Sequence, residues 1–122
     1  MDLIANGRIW IDSTEGSFLG YGRIELLEKI DQLGSIRQAA LEMKISYKQA
    51  WDFIEQMNHR ANSTPLVISK RGGKGGGSAI LTPEGKQLIA LFKQFNRDFQ
   101  VFLKEQSAKL STIGFKTDPT SP

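Results

Sequence analysis

Gly34-Ser35-Ile36-Arg37-Gln38-Ala39-Ala40-Leu41-Glu42-Met43-Lys44-Ile45-Ser46-Tyr47-Lys48-Gln49-Ala50-Trp51 reads as two helices joined by a short link. Ser35 stands ahead of Ile36, Ala39, Ala40 and Met43, which recur at helical spacing. Its hydroxyl can accept from the orphan N–H groups of a first helical turn. The paired alanines let a second helix cross closely, as a helix-turn-helix requires. Lys44 and Ile45 make the link, and Ser46 offers a second cap. Beyond it, Ala50, Phe53, Ile54, Met57 and Ala61 share one helix face. Lys48, Asp52, Glu55 and His59 occupy the opposite face, with Tyr47 and Trp51 toward one flank.

In a docked helix-turn-helix, the N-terminal part of the second helix contacts base edges. That rule selects Ser46, Tyr47, Lys48, Gln49 and Trp51 as candidate DNA contacts, with Ser35 at the start of the preceding helix. Trp51 has a rival role in packing against a neighbouring helix or wing, because a large indole is usually substantially buried. Asp52 and Glu55 would repel phosphates. They either face away from the backbone, or one of them accepts from a cytosine amino group. His59 is the only histidine and the chain has no cysteine, so a zinc site is not expected. His59 reads as a solvated helix residue.

Downstream, Pro65-Leu66-Val67-Ile68-Ser69-Lys70 and Ala79-Ile80-Leu81 are short strand-like runs. They flank Arg71-Gly72-Gly73-Lys74-Gly75-Gly76-Gly77-Ser78, and the whole reads as a hairpin with a glycine-rich tip. Lys70, Arg71 and Lys74 add charge, and no Asp or Glu occurs from residue 56 through 83. A cationic tip beside a recognition helix suits phosphate contact or minor-groove insertion. The glycine run fails the Walker pattern, since Gly73-Lys74 is followed by Gly75 and Gly77-Ser78 lacks the lysine. Nucleotide hydrolysis is therefore not expected.

The flanking segments complete a mainly α fold with a small β-wing. Gly7-Arg8-Ile9-Trp10-Ile11-Asp12 has strand character, Ser13-Thr14-Glu15-Gly16 a turn, and Ser17-Phe18-Leu19 a returning strand. A helix beginning between residues 20 and 23 buries Ile24, Leu27, Ile30 and Leu33, with Leu26 adding to that face. Gly34 ends it in the left-handed conformation. Thr82 caps a last helix and Pro83 opens it, and the helix runs to about Leu110. Leu88, Phe92, Phe95, Phe99 and Phe102 follow each other at intervals of four, three, four and three residues, the spacing of a coiled-coil seam. A small helical domain cannot easily cover so long a stripe, so a homodimer is expected. Two recognition helices one duplex turn apart would read a palindromic operator. The alternative is that the first half of the stripe packs on the first helix. The expected organisation is a winged helix-turn-helix domain over residues 1–110, with a dimer helix at 83–110 and a disordered tail at 111–122.

The chain's 122 residues suffice for one core, and its net charge of +3 makes it mildly basic. Without cysteine there is no disulfide framework. No apolar run has membrane-helix length, and no signal peptide opens the chain, so a cytoplasmic location with no membrane partner is expected. Carboxylates are scattered over the helices, so neither an enzyme nor a cofactor is expected. The competing functional reading is a winged-helix module for protein–protein contact, in which the Phe-rich helix binds another protein.

Gly34-Ser35-Ile36 through Leu41, Ile45-Ser46-Tyr47-Lys48, Ala50-Trp51 and Met57-Asn58 resemble the N-terminal domain of the ModE family of molybdate-responsive regulators. So do Gly72-Gly73-Lys74-Gly75-Gly76-Gly77, Leu81-Thr82, Gly85 and the earlier Gly22-Arg23-Ile24 with Leu26-Leu27. The match covers residues 7–110. The helix-turn-helix alone is similar to that of LysR-type regulators and is less specific. The resemblance implies a dimeric winged helix-turn-helix on operator DNA near molybdate or tungstate uptake genes. Nothing here matches the family's C-terminal oxyanion-binding domain, so direct molybdate binding by this chain is not expected.

Overall fold

Both predicted serine caps form in the computed structural model, which describes residues 2–61, 64–70 and 77–113. The elements run β1 (Ile11–Ser13), β2 (Gly16–Leu19), α1 (Tyr21–Leu33), α2 (Ile36–Met43), α3 (Tyr47–Arg60), β3 (Val67–Lys70), β4 (Ser78–Leu81) and α4 (Pro83–Ser111). The architecture is a winged helix-turn-helix followed by a long helix. Gln38 N–H donates to Ser35 Oγ at 3.1 Å, and Gln49 N–H donates to Ser46 Oγ at 2.9 Å. Substituting such caps by alanine typically costs about 1 kcal/mol. The turn between α2 and α3 closes at Lys44, a non-glycine residue with φ 59°. There Ile45 N–H reaches back to Ala40 O at 3.1 Å, satisfying a carbonyl that the helix end would otherwise orphan.

The chain divides into two compact units, residues 10–92 and residues 1–9 with 93–122. In the first, α1, α2 and α3 bury Ile24, Leu26, Leu27, Ile30, Ile36, Ala39, Ala40, Ala50, Ile54 and Met57. The two alanines predicted to sit where α3 crosses α2 are both buried. Leu33 departs from expectation. It is 40 % exposed, while Leu26, also expected on that face, is fully buried. Gly34 follows directly, with φ 67°, so the last α1 turn is already leaving the core.

The β1–β2 hairpin is shorter than the sequence suggested. Residues 7–10 lie outside any strand, and pairing begins at Ile11 against Leu19 with an irregularity before Asp12. Side chains of the helices tie this hairpin down. Arg23 donates to Ser17 O at 3.0 Å, Phe18 O at 3.1 Å and Gln56 Oε1 at 2.6 Å, and its guanidinium lies 5.0 Å from the centre of the Phe53 ring. Burial, and secondarily the neighbouring Arg60, lower the Arg23 pKa below the ordinary guanidinium range. Arg60 also donates to Ser17 O. His59 is not merely solvated, because its Nε2 lies 3.0 Å from Glu15 Oε2.

The wing is the antiparallel pair β3–β4, with Val67 opposite Leu81 and Lys70 opposite Ser78. Three anchors hold it. Ala79 N–H donates to Gly34 O at 3.0 Å. Asn58 Oδ1 accepts from Leu66 N–H at 2.8 Å, while its Nδ2 donates to Val67 O at 3.2 Å. Thr82 Oγ1 donates to Pro65 O at 2.8 Å and accepts from Gly85 N–H at 3.0 Å, so one buried hydroxyl caps α4 and closes the hairpin base. Gly85 has to be glycine here. A β-carbon there would stand 2.5 Å from Leu66 O.

In the second unit, Ala5 N–H donates to Ser107 Oγ at 2.8 Å, and a β-carbon at Gly7 would come 3.0 Å from the Phe99 ring. Leu3 and Ala5 are half-buried and Ile9 is buried, whereas Ile4 and residues 6–8 are exposed. Sequence reading missed this use of the N-terminus.

Candidate nucleic-acid interface

Ser35, Ile36, Arg37, Tyr47, Trp51, Glu55, Ser69, Lys70, Gly77, Ser78 and Ala79 line a cleft of about 610 Å³ between the helix-turn-helix and the wing. Three elements build it for local reasons. The Ser35 cap starts α2 so that Arg37 projects outward from its first turn. The Ser46 cap starts α3 so that Tyr47, Lys48 and Gln49 are all exposed, while Ala50 is buried beneath them. The β3–β4 ladder brings Lys70 and Ser78 together at the described end of the wing.

Aromatic and cationic groups are ordered along this wall. The Arg37 guanidinium lies 4.5 Å from the centre of the Tyr47 ring, and Tyr47 meets Trp51 edge-on at 6.2 Å. Tyr47 remains 42 % exposed and Trp51 is half-buried, so the indole both packs and faces the cleft. Lys48 Nζ sits 3.0 Å from Asp52 Oδ2 one turn along the same helix. This pair compensates the Asp52 carboxylate locally, which lessens the repulsion it would offer a phosphate. The interaction is exposed and worth only about 0.3–0.5 kcal/mol, so Lys48 can leave it at little cost. Glu55 is the one carboxylate in the cleft wall among the described residues.

The candidate DNA contacts are therefore partly assembled. Ser35, Tyr47, Trp51 and Lys70 share the cleft, Ser46 spends its hydroxyl on the cap, and Lys48 and Gln49 lie on the adjoining exposed turn. Arg71 and Lys74 fall outside the described residues. Arg37 is a cleft residue absent from the candidate contacts drawn from sequence, and Glu55, weighed there as an acceptor for a cytosine amino group, also lines the cleft.

The aromatic stripe of α4 does not remain whole. Phe92 is 2 % exposed and packs edge-on against Tyr21 at 5.6 Å, so it belongs to the core and offers no free seam surface. Leu88 and Phe99 are half-buried, the latter beneath Gly7. Phe95 and Phe102 stay exposed, at 46 % and 51 %, with Leu91 near them on the same helix face. A shallower groove of about 410 Å³, lined by Trp10, Leu19, Met43, Ile45 and Phe53 among others, opens elsewhere in the first unit. No described helix is long and apolar enough to cross a membrane. No group of three or more metal-ligating side chains occurs among the described residues.

A helix-turn-helix with a wing, and a cation-bearing cleft between them, defines the class as winged helix-turn-helix proteins. Comparison with curated proteins narrows it. The chain is 38 % identical over 106 residues to the molybdenum transport protein ModE of Azotobacter vinelandii, covering 87 % of this chain and 39 % of that protein. It is 42 % identical over 100 residues to the transcriptional regulator ModE of Haemophilus influenzae, covering 79 % and 38 % respectively. It is 50 % identical over 70 residues to the DNA-binding transcriptional dual regulator ModE of Escherichia coli, covering 57 % and 26 %. No family model matches the chain. Its homologues are thus ModE regulators of molybdenum transport, the family its residue strings pointed to, and it spans less than two fifths of the length of these three.

Proposed function

We propose that this chain is the DNA-binding part of a transcription regulator linked to molybdenum transport, acting as a homodimer on a palindromic operator. The observation that carries the reading is the exposed first turn of α3, with Tyr47, Lys48 and Gln49, of which Tyr47 shares the cleft with Arg37 and Lys70. On this reading α3 enters the major groove with that turn toward the base edges, and the wing lies along the backbone or the minor groove. Phosphate contacts from Lys70, and from Arg71 and Lys74 of the wing tip, fix register, while the α3 side chains read sequence. Phe95 and Phe102 pair two copies so that two α3 helices meet one face of the duplex. The names of the relatives support the same assignment. Regulation by DNA binding needs no reaction and no cofactor from this chain, and the reading gives it neither molybdate binding nor a membrane role.

The test is operator binding by Tyr47→Ala and Lys48→Ala variants. Each is expected to weaken binding roughly ten-fold or more, with an unchanged fold by circular dichroism. Wild-type affinity in both variants would contradict the placement of α3. The apolar groove around Trp10 is the observation that favours the rival protein-contact reading. A protein that binds no duplex would move that reading to first place.

A further inference from the structure

The cations of the first unit differ in what already occupies them, and of these Arg37 and Lys70 line the cleft. Lys48 is paired with Asp52. Arg23 and Arg60 are bound to the β1–β2 hairpin and Gln56. Arg37 is exposed and, among the described residues, makes no ion pair. Its guanidinium carbon lies 4.5 Å from the centre of the Tyr47 ring. A guanidinium stacked on an aromatic face keeps its edge N–H donors free. Those donors match the two oxygens of a phosphodiester. Stacking also restricts a long side chain that would otherwise lose rotamer entropy on binding. In turn, Tyr47 is braced edge-on by Trp51.

We propose that Arg37 clamps a backbone phosphate of the duplex, and that the Tyr47 ring holds it in the clamping position. The proposal rests on the DNA-binding reading above and assigns a residue outside the candidate contacts drawn from sequence. It places the phosphate contact on α2 and joins it, through one ring, to the first turn of α3. The register of the protein on the backbone and the position of its reading helix are then set together.

The experiment measures affinity for operator and scrambled duplexes across a salt series, using wild type, Arg37→Ala, Arg37→Lys, Tyr47→Ala and the Arg37→Ala/Tyr47→Ala double variant. Arg37 is exposed, so its variants should keep the wild-type melting temperature. Arg37→Ala is expected to weaken binding to both duplexes by a similar factor, roughly ten-fold, and to reduce the magnitude of the salt slope by about one. Arg37→Lys should keep the salt slope and lose part of the affinity, because it keeps the charge and loses the flat fork. In the Tyr47→Ala background, removing Arg37 should cost less than about three-fold, because an unstacked guanidinium has already lost its position. Loss confined to the operator would assign Arg37 to base reading and overturn the phosphate clamp. An undiminished Arg37→Ala effect without the Tyr47 ring would overturn the positioning role. Failure of the wild-type protein to bind any duplex would instead overturn the regulator reading itself.

Discussion

Asn58 shows how one side chain can join two parts of this fold. It sits near the end of α3, and its amide accepts from Leu66 N–H and donates to Val67 O, replacing ladder bonds that the start of β3 would otherwise lack. Asn58→Ala removes both and leaves partly buried backbone groups unpaired. The expected loss is about 1–3 kcal/mol of unfolding free energy, measured by urea denaturation. Wild-type stability in this variant would mean that water replaces the amide without cost. The sequence contained Asn58 only as part of a family resemblance. Its role depends on β3 folding back onto α3, which periodicity cannot reveal. The serine caps were legible because a cap is a local signal, read within four residues. Arg37 was not, because its partner lies on the next helix.

At the scale of the elements, the two central helices were visible because Ile36, Ala39 and Ala40, then Ala50, Ile54 and Met57, bury one face at helical spacing. The wing was visible because two β-branched runs flank a glycine tract. Strand ends were less legible. Residues 7–10 alternate like a strand, yet they pair with no strand, and Gly7 stands against the Phe99 ring of α4 instead. The start of α4 offers the sharpest stability test. In an ordinary helix, Gly→Ala stabilises by about 1 kcal/mol. At Gly85 the added carbon would meet Leu66 O at 2.5 Å, and that oxygen is backbone that also accepts from Thr82 N–H. Gly85→Ala is therefore expected to destabilise, by about 1–3 kcal/mol, with a lowered melting temperature. A raised melting temperature would show that the β3 entry can shift without penalty.

At the scale of the molecule, the Phe-rich stripe of α4 is split between two roles. Phe92 completes the core with Tyr21, whereas Phe95 and Phe102 are left to solvent. The heptad spacing predicts a dimer seam, but spacing alone could not show how much of the stripe the chain covers itself, and Phe92 is buried in its own core. If the exposed remainder pairs two copies, light scattering should give a dimer for the wild type and a monomer for Phe95→Ser/Phe102→Ser. A wild-type monomer at tens of micromolar would contradict the dimer. The central claim is that the exposed turn of α3 and the cations beside it recognise duplex DNA. The direct measurement is fluorescence anisotropy on DNA from upstream of the chain's own gene and on a scrambled duplex of the same composition, across a salt series. The account predicts tighter binding to the first duplex that persists at about 150 mM salt, where non-specific binding is weak. Equal, weak binding to both, collapsing steeply as salt rises, would contradict it and leave only the attraction of a basic surface for phosphate.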